Sequence, residues 1–166
     1  GEVMSIGRTF AESLQKAYRS METGLTGLNE VTIPGAHTGK GVDEDAVFAA
    51  LGQPTPERLL NIAQAFRLGI SADDIQRVTH FDPWFLGQIS AIVQAETHVR
   101  ETGLPDNFDS LMRLKRMGFS DERLAELSDK TEADVAALRD KLDLHPVFKR
   151  IDTCAAEFPS LTPYMY

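Results

Sequence analysis

Apolar positions along this chain recur at helical spacing between closely set capping signals. Thr9-Phe10-Ala11-Glu12 reads as a capping box, in which Thr9 accepts from a first-turn amide while Glu12 reaches back. Phe10, Leu14, Ala17 and Met21 then predict one apolar helix face, ended by Gly24. Residues 24–42, GLTGLNEVTIPGAHTGKGV, keep no sustained period and predict a mobile loop. A short helix is expected over Asp43 to Leu51, stopped by Gly52. Thr55-Pro56 predicts a cap followed by proline at the first helical position, opening a helix that runs to Gly69. Ser71 restarts a helix through Asp74, Ile75 and Val78.

Asp82-Pro83 repeats the cap-then-proline signal and opens the longest helix. Its Trp84, Phe85, Ile89, Ile92, Val93 and Val99 predict a broad core-facing stripe, with Trp84 and Phe85 expected inside. Gly103-Leu104-Pro105 ends it. Helices follow over Asp109 to Met117, Asp121 to Leu127 and Glu132 to Leu142, with Ser120 and Thr131 where caps belong. Past His145-Pro146 the pattern becomes extended, and Pro159 and Pro163 oppose helix. The fold class expected is all-α: a multi-helix orthogonal bundle with extended, non-helical N- and C-terminal segments. Arg67-Leu68-Gly69-Ile70-Ser71 also echoes Arg116-Met117-Gly118-Phe119-Ser120. Two copies of one joint read as shared punctuation rather than a true repeat, since repeat arrays usually need three units or more.

Composition narrows the function classes. A chain of 166 residues makes one domain and can bury a core without metal or disulfide. The formal net charge of −8 opposes general nucleic-acid binding, which rests on cations neutralising phosphates. No apolar run reaches the roughly 20 residues of a membrane span. The single cysteine suits a reducing compartment, and joined to the resemblance below it makes cytoplasm the expected location. A start without Met is expected of a processed, tagged or excised chain.

Candidate chemistry is sparse. Gly35 to Gly41, GAHTGKG, departs from a phosphate loop in spacing and lacks Ser or Thr after Lys40, so it reads as a loop. Residues 118–142 have helix-turn-helix spacing, but Glu132, Asp134 and Asp140 on the second helix oppose a phosphate backbone. Arg113, Lys115 and Arg116 complement a helix C-terminus, and Asp43-Glu44-Asp45 and Asp73-Asp74 complement helix starts. His37, His80, His98 and His145 are scattered, and Cys154 has no paired His or Cys in sequence. Catalytic, cofactor-binding and metal-binding residues are therefore expected to number none in this chain.

Resemblance carries the reading further. GEVMSIGRTFAESLQKAYRSME, IAQAFRLGIS, FDPWFLGQI, LKRMGFSDERLAELS and LHPVFKRIDTCAAEFPSLTPYMY, in that order, resemble the large chain of carbamoyl-phosphate synthetase across its central oligomerization domain. The resemblance covers nearly the whole chain. It implies that residues 1–8 are the tail of a preceding carboxyphosphate-forming half. Residues 9–145 would then form the helical oligomerization domain, and 146–166 a connector toward a second ATP-using half.

On that resemblance, ATP and divalent metal (Mg or Mn) belong to the flanking halves, which make carbamoyl phosphate from bicarbonate, ammonia and ATP. The glutamine amidotransferase small chain is implied as a partner of the parent, and self-association is expected of this domain. The parent would serve arginine synthesis, pyrimidine synthesis or both. The adjacent Lys149-Arg150 pair, Asp152, Cys154 and Glu157 become parts of a connector rather than a reactive site. A free-standing helical interaction module is the second reading.

Overall fold

Side-chain caps set most of the helix starts. The computed structural model describes residues 2–39, 41–147, 149, 150, 164 and 165. Among them lie eight helices: α1 (Phe10–Ser20), α2 (Glu44–Gly52), α3 (Arg58–Arg67), α4 (Ala72–Thr79), α5 (Pro83–Thr102), α6 (Phe108–Arg116), α7 (Asp121–Ser128) and α8 (Glu132–Lys141). Thr9, Asp43, Ser71, Asp82, Asn107, Ser120 and Thr131 each accept a hydrogen bond from a first-turn amide. Each such cap stabilises its helix by about 1 kcal/mol. The Asp82-Pro83 start holds as expected, with proline in the first turn of α5.

Thr55-Pro56 does not open α3, which starts at Arg58 after an N-cap, Glu57, that makes no side-chain hydrogen bond. Thr55 instead closes a turn, its carbonyl accepting from the Arg58 amide at 3.1 Å. A tertiary tie takes the place of the cap: Arg58 donates to the carbonyls of Leu51 (2.9 Å) and Thr79 (3.2 Å), at the ends of α2 and α4. At α1, Glu12 reaches one residue further back than a capping box requires. It accepts from the Arg8 amide at 2.8 Å.

α5 runs through the middle of the bundle and packs on α1, α3, α4 and α7; α2 packs on α3 and α4, and α7 on α8. Ile89, Ile92, Val93 and Val99 enter the core as the spacing predicts, and Leu86, which the predicted stripe does not include, joins them. The face predicted for α1 is wrong. Its buried stripe is Ala11, Glu12, Gln15 and Tyr18, while Phe10, Leu14 and Ala17 are only partly buried and Met21 is exposed. The polar residues go inward because each finds a partner there. Gln15 donates to the Met117 carbonyl at 2.8 Å, and Glu12 is bonded by Arg8 and Lys16.

The 24–42 segment is packed, against the expectation of a mobile loop. Leu28, Ile33 and Ala36 are buried in the core. Asn29 Oδ1 accepts from the amides of Thr26 (2.8 Å) and Gly27 (3.0 Å), closing a turn. Strands β1 (His37–Thr38) and β2 (Gly41–Val42) then pair antiparallel across the segment once read against a phosphate loop. In the C-terminal tail, β3 (Lys149–Arg150) pairs antiparallel with β4 (Tyr164–Met165). Cys154, Asp152 and Glu157 lie outside the described residues.

The echo between residues 67 and 116 extends well beyond one joint. Ser71 and Ser120 cap α4 and α7, helices of eight residues each, and both end in a left-handed residue, His80 (φ 57) and Asp129 (φ 53). Thr79 and Ser128 each donate to the carbonyl four residues back at 2.7 Å, onto buried Ile75 and Leu124. Gly69 (φ 85) and Gly118 (φ 92) close the preceding helices, and the amides of Ile70 and Phe119 reach back five residues to Ala65 and Leu114. Helix, left-handed stop, capped short helix and next cap therefore recur in step. What recurs is local punctuation rather than a repeated packed unit, since α3 packs on α5 while α6 makes no comparable contact with α8.

Candidate functional site

Three places in the fold concentrate polar or aromatic chemistry. The first is a buried charge cluster where α3, α5, α7 and the 24–42 segment meet. Glu96 on α5 is fully buried, and its two oxygens are divided between two guanidiniums. Arg123 Nη2 donates to Oε1 at 2.8 Å with Nε at 2.9 Å, and Arg67 donates to Oε2 at 2.6 Å. The Arg67 and Arg123 side chains are only 8% and 2% exposed. Arg67 also donates to the Leu28 carbonyl, and Arg123 extends to Glu30 (3.1 Å) and Glu126 (3.1 Å). Glu126 in turn accepts from the Thr26 hydroxyl, and Arg100 pairs with Glu30.

Every charge of this cluster thus faces an opposite charge inside the domain. Such an arrangement positions backbone rather than substrate. A buried pair contributes little net stability over apolar packing, but it penalises any register that separates the partners. No spacing signal marks Glu96 in the sequence, since its partners lie 27 and 29 residues away.

The second place joins α6, α7 and α8. Lys115 Nζ donates to the Phe119 carbonyl (2.7 Å) and to Asp121 (2.9 Å), and Arg139 Nε donates to Asp121 at 2.9 Å. The cation cluster expected at this helix end is therefore partly turned inward. Burial pushes the Lys115 ammonium below its ordinary pKa, and the Asp121 carboxylate opposes that. Burial acts to raise Asp121, but Lys115 and Arg139 outweigh it and hold the carboxyl below its ordinary 3.8. A depressed carboxylate contributes stability that is complete above the unfolded-state pKa and is lost as pH falls through the lower folded value. Unfolding midpoints measured from pH 6 to pH 2 are therefore expected to fall below about pH 4, and less steeply in Asp121→Asn. Parallel curves for the two proteins would show that Asp121 contributes nothing to the acid limb.

The third place is aromatic. Trp84 and Phe85 do not enter the core; they are 56% and 44% exposed. Both sit at the start of α5 against Phe10 at the start of α1. The three rings form edge-to-face pairs, with centroids 5.7 Å (Phe10–Trp84), 5.1 Å (Phe10–Phe85) and 4.9 Å (Trp84–Phe85). The core side of α5 is set by Leu86, Ile89 and Val93, which leaves the first two aromatics past the edge of the stripe.

The remaining candidates stay apart. His37 lies in β1, His80 closes α4, His98 is exposed on α5, and His145 stands beside Asp140 and Asp143. Among the described residues no three His, Cys, Asp or Glu side chains form a metal-holding group. Residues 118–142 fold as two helices packed on each other, with Arg139 of α8 tied to Asp121 of α7. No helix among the described residues is long and apolar enough to cross a membrane.

Residues 2–143 match the family described as the carbamoyl-phosphate synthetase large chain, oligomerisation domain. The carbamoyl phosphate synthase large chain of Brucella melitensis is 57% identical over 166 residues, which is all of this chain and 14% of that protein. The corresponding chain of Rhizobium meliloti is 56% identical over the same span, again 14% of its length. That of Neisseria meningitidis serogroup A is 46% identical over 167 residues, covering this whole chain and 15% of the relative. This chain thus spans about one-seventh of the length of the relatives it matches. It belongs to the family of carbamoyl-phosphate synthetase large-chain oligomerisation domains.

Proposed function

We propose that this domain performs no chemistry itself and acts as a rigid spacer between two ATP-using halves of a carbamoyl-phosphate synthetase large chain, which also self-associates through it. Residues 1–8 carry on from the preceding half, 9–145 form the spacer, and 146–166 lead into the second half. Bicarbonate, ATP, ammonia drawn from glutamine and divalent metal are handled by the parent's other parts and by its amidotransferase small chain. The observation that supports this reading is the Glu96 cluster. It ties α3, α5, α7 and the 24–42 segment into one body, and a spacer must be one body to hold its two attachments at a set separation.

The test uses this chain and its parent together. The isolated domain, given ATP, magnesium, bicarbonate and ammonia, is expected to release no ADP above buffer. In the parent, replacing residues 9–145 by an unstructured linker of equal length is expected to abolish carbamoyl phosphate formation. Bicarbonate-dependent ATP hydrolysis should survive the replacement. Turnover by the isolated domain, or full synthesis by the linker parent, would remove this reading.

A further inference from the structure

We propose that the Phe10–Trp84–Phe85 face is a docking surface for the part of the parent that precedes residue 1. This rests on the spacer reading above and adds to it the side on which the preceding half sits. Three observations converge. The rings hold one another edge to face, so the face is formed before anything covers it. α5 carries no charged side chain from Pro83 to Ala95, in a chain that is 25% charged. Exposed Gly87 and Ala91 continue that neutral surface beside the aromatics. A rigid, uncharged aromatic surface suits an apolar protein partner.

The third observation selects the occupant. Val3, Met4 and Ile6 are also exposed, Met4 at 92%, and they lie on the segment leading into α1. That segment is fixed to α1. Ser5 donates to the Ser13 carbonyl at 2.5 Å, the Arg8 amide to Glu12 at 2.8 Å and Lys16 Nζ to the Ile6 carbonyl at 3.2 Å. A Cβ added at Gly7 would stand 2.6 Å from the Ser13 amide nitrogen, so the backbone lies directly on the helix. Four residues remain before Ser5, a reach of at most about 14 Å. Whatever is joined there is held beside the first turn of α1, where Phe10 sits. A tethered body at that range has an effective concentration near millimolar. A second copy has no such tether and carries the same net charge of −8.

The experiment replaces Phe85, and separately Met4, by the photoreactive p-benzoylphenylalanine in the full-length parent. Both positions are exposed, so the fold should tolerate the change. After irradiation of an equal mixture of light and heavy-isotope parent, crosslinked peptides are identified by mass. Crosslinks from both positions to peptides preceding residue 1, light with light and heavy with heavy, are expected. Mixed-isotope crosslinks would assign the face to a second copy and overturn the proposal. So would crosslinks to peptides following residue 166, or none from either position. A mature parent whose N-terminal sequencing begins at residue 1 would overturn the spacer reading itself.

Discussion

Glu96→Gln is expected to lower the thermal unfolding midpoint by roughly 10 °C, because it leaves two buried guanidiniums without their shared carboxylate. Glutamine matches glutamate in size and still offers one acceptor, so the change is one of charge. Arg67 and Arg123 would then face only Glu30 and Glu126, each 42% exposed. Breaking a buried pair by removing one partner costs about 3–5 kcal/mol, and a domain of this size loses about 2–4 °C per kcal/mol.

The prediction has an internal check. If the loss comes from stranded charge, then Glu96→Leu combined with Arg67→Met and Arg123→Met should be more stable than Glu96→Gln alone. Calorimetric scans of the two variants beside the parent sequence decide it. A fall of less than 3 °C in Glu96→Gln would mean the cluster is hydrated rather than buried. A triple variant less stable than the single one would mean the arginine stems, not their charges, carry the packing.

The recurring glycine stop supplies the second large effect, because it offers the same residue twice in different surroundings. Gly69 and Gly118 both close a helix in the left-handed region, and alanine there costs about 1–2 kcal/mol from backbone strain alone. A Cβ on Gly69 would meet nothing within 4 Å. On Gly118 it would stand 2.9 Å from Glu12 Cα, 3.0 Å from the Glu12 carbonyl oxygen and 3.2 Å from Gln15 Cβ. Two of these contacts are backbone, so α1 itself must shift, and the Gln15–Met117 hydrogen bond lies across the same contact.

Overpacking adds about 1–3 kcal/mol, which brings Gly118→Ala to about 2–5 kcal/mol. Gly69→Ala should therefore lower the midpoint by about 3–6 °C and Gly118→Ala by roughly 6–15 °C. Equal falls in chemical or thermal denaturation would show that conformation alone matters and that α1 yields freely at Gly118.

What was legible in the sequence is local in origin. Asp43, Asp82, Ser120 and Thr131 act on amides two or three residues ahead, so their chemistry is complete within one turn and can be read from neighbours. The same holds for the glycine stops at 69, 103 and 118. Thr55 does not cap α3, whose start is tied instead by Arg58 to carbonyls on two other helices, and no local rule contains that option. The all-α class followed from the locally defined elements, and the family from ordered stretches of sequence that the similarity over the whole chain bears out.

Which side of each element faces inward was another matter. On α1, counting apolar residues pointed to Phe10 and Met21, yet Gln15 went inside because Met117, 102 residues away, offers a carbonyl there. On α5, Trp84 and Phe85 share the apolar character of Ile89 but overrun the end of the core. The glycine-rich 24–42 segment packs because Arg67 and Arg123 reach it from α3 and α7.

By itself, then, the sequence determined where most helices start, though not the start of α3 or the end of α1, and which family this protein joins. Only the tertiary structure decided that Glu96 would be buried between two arginines and that an aromatic face would stand open. Capping is settled by a hydrogen bond within one turn. Burial is settled by which distant side chains arrive to replace the water, and only the completed packing specifies those.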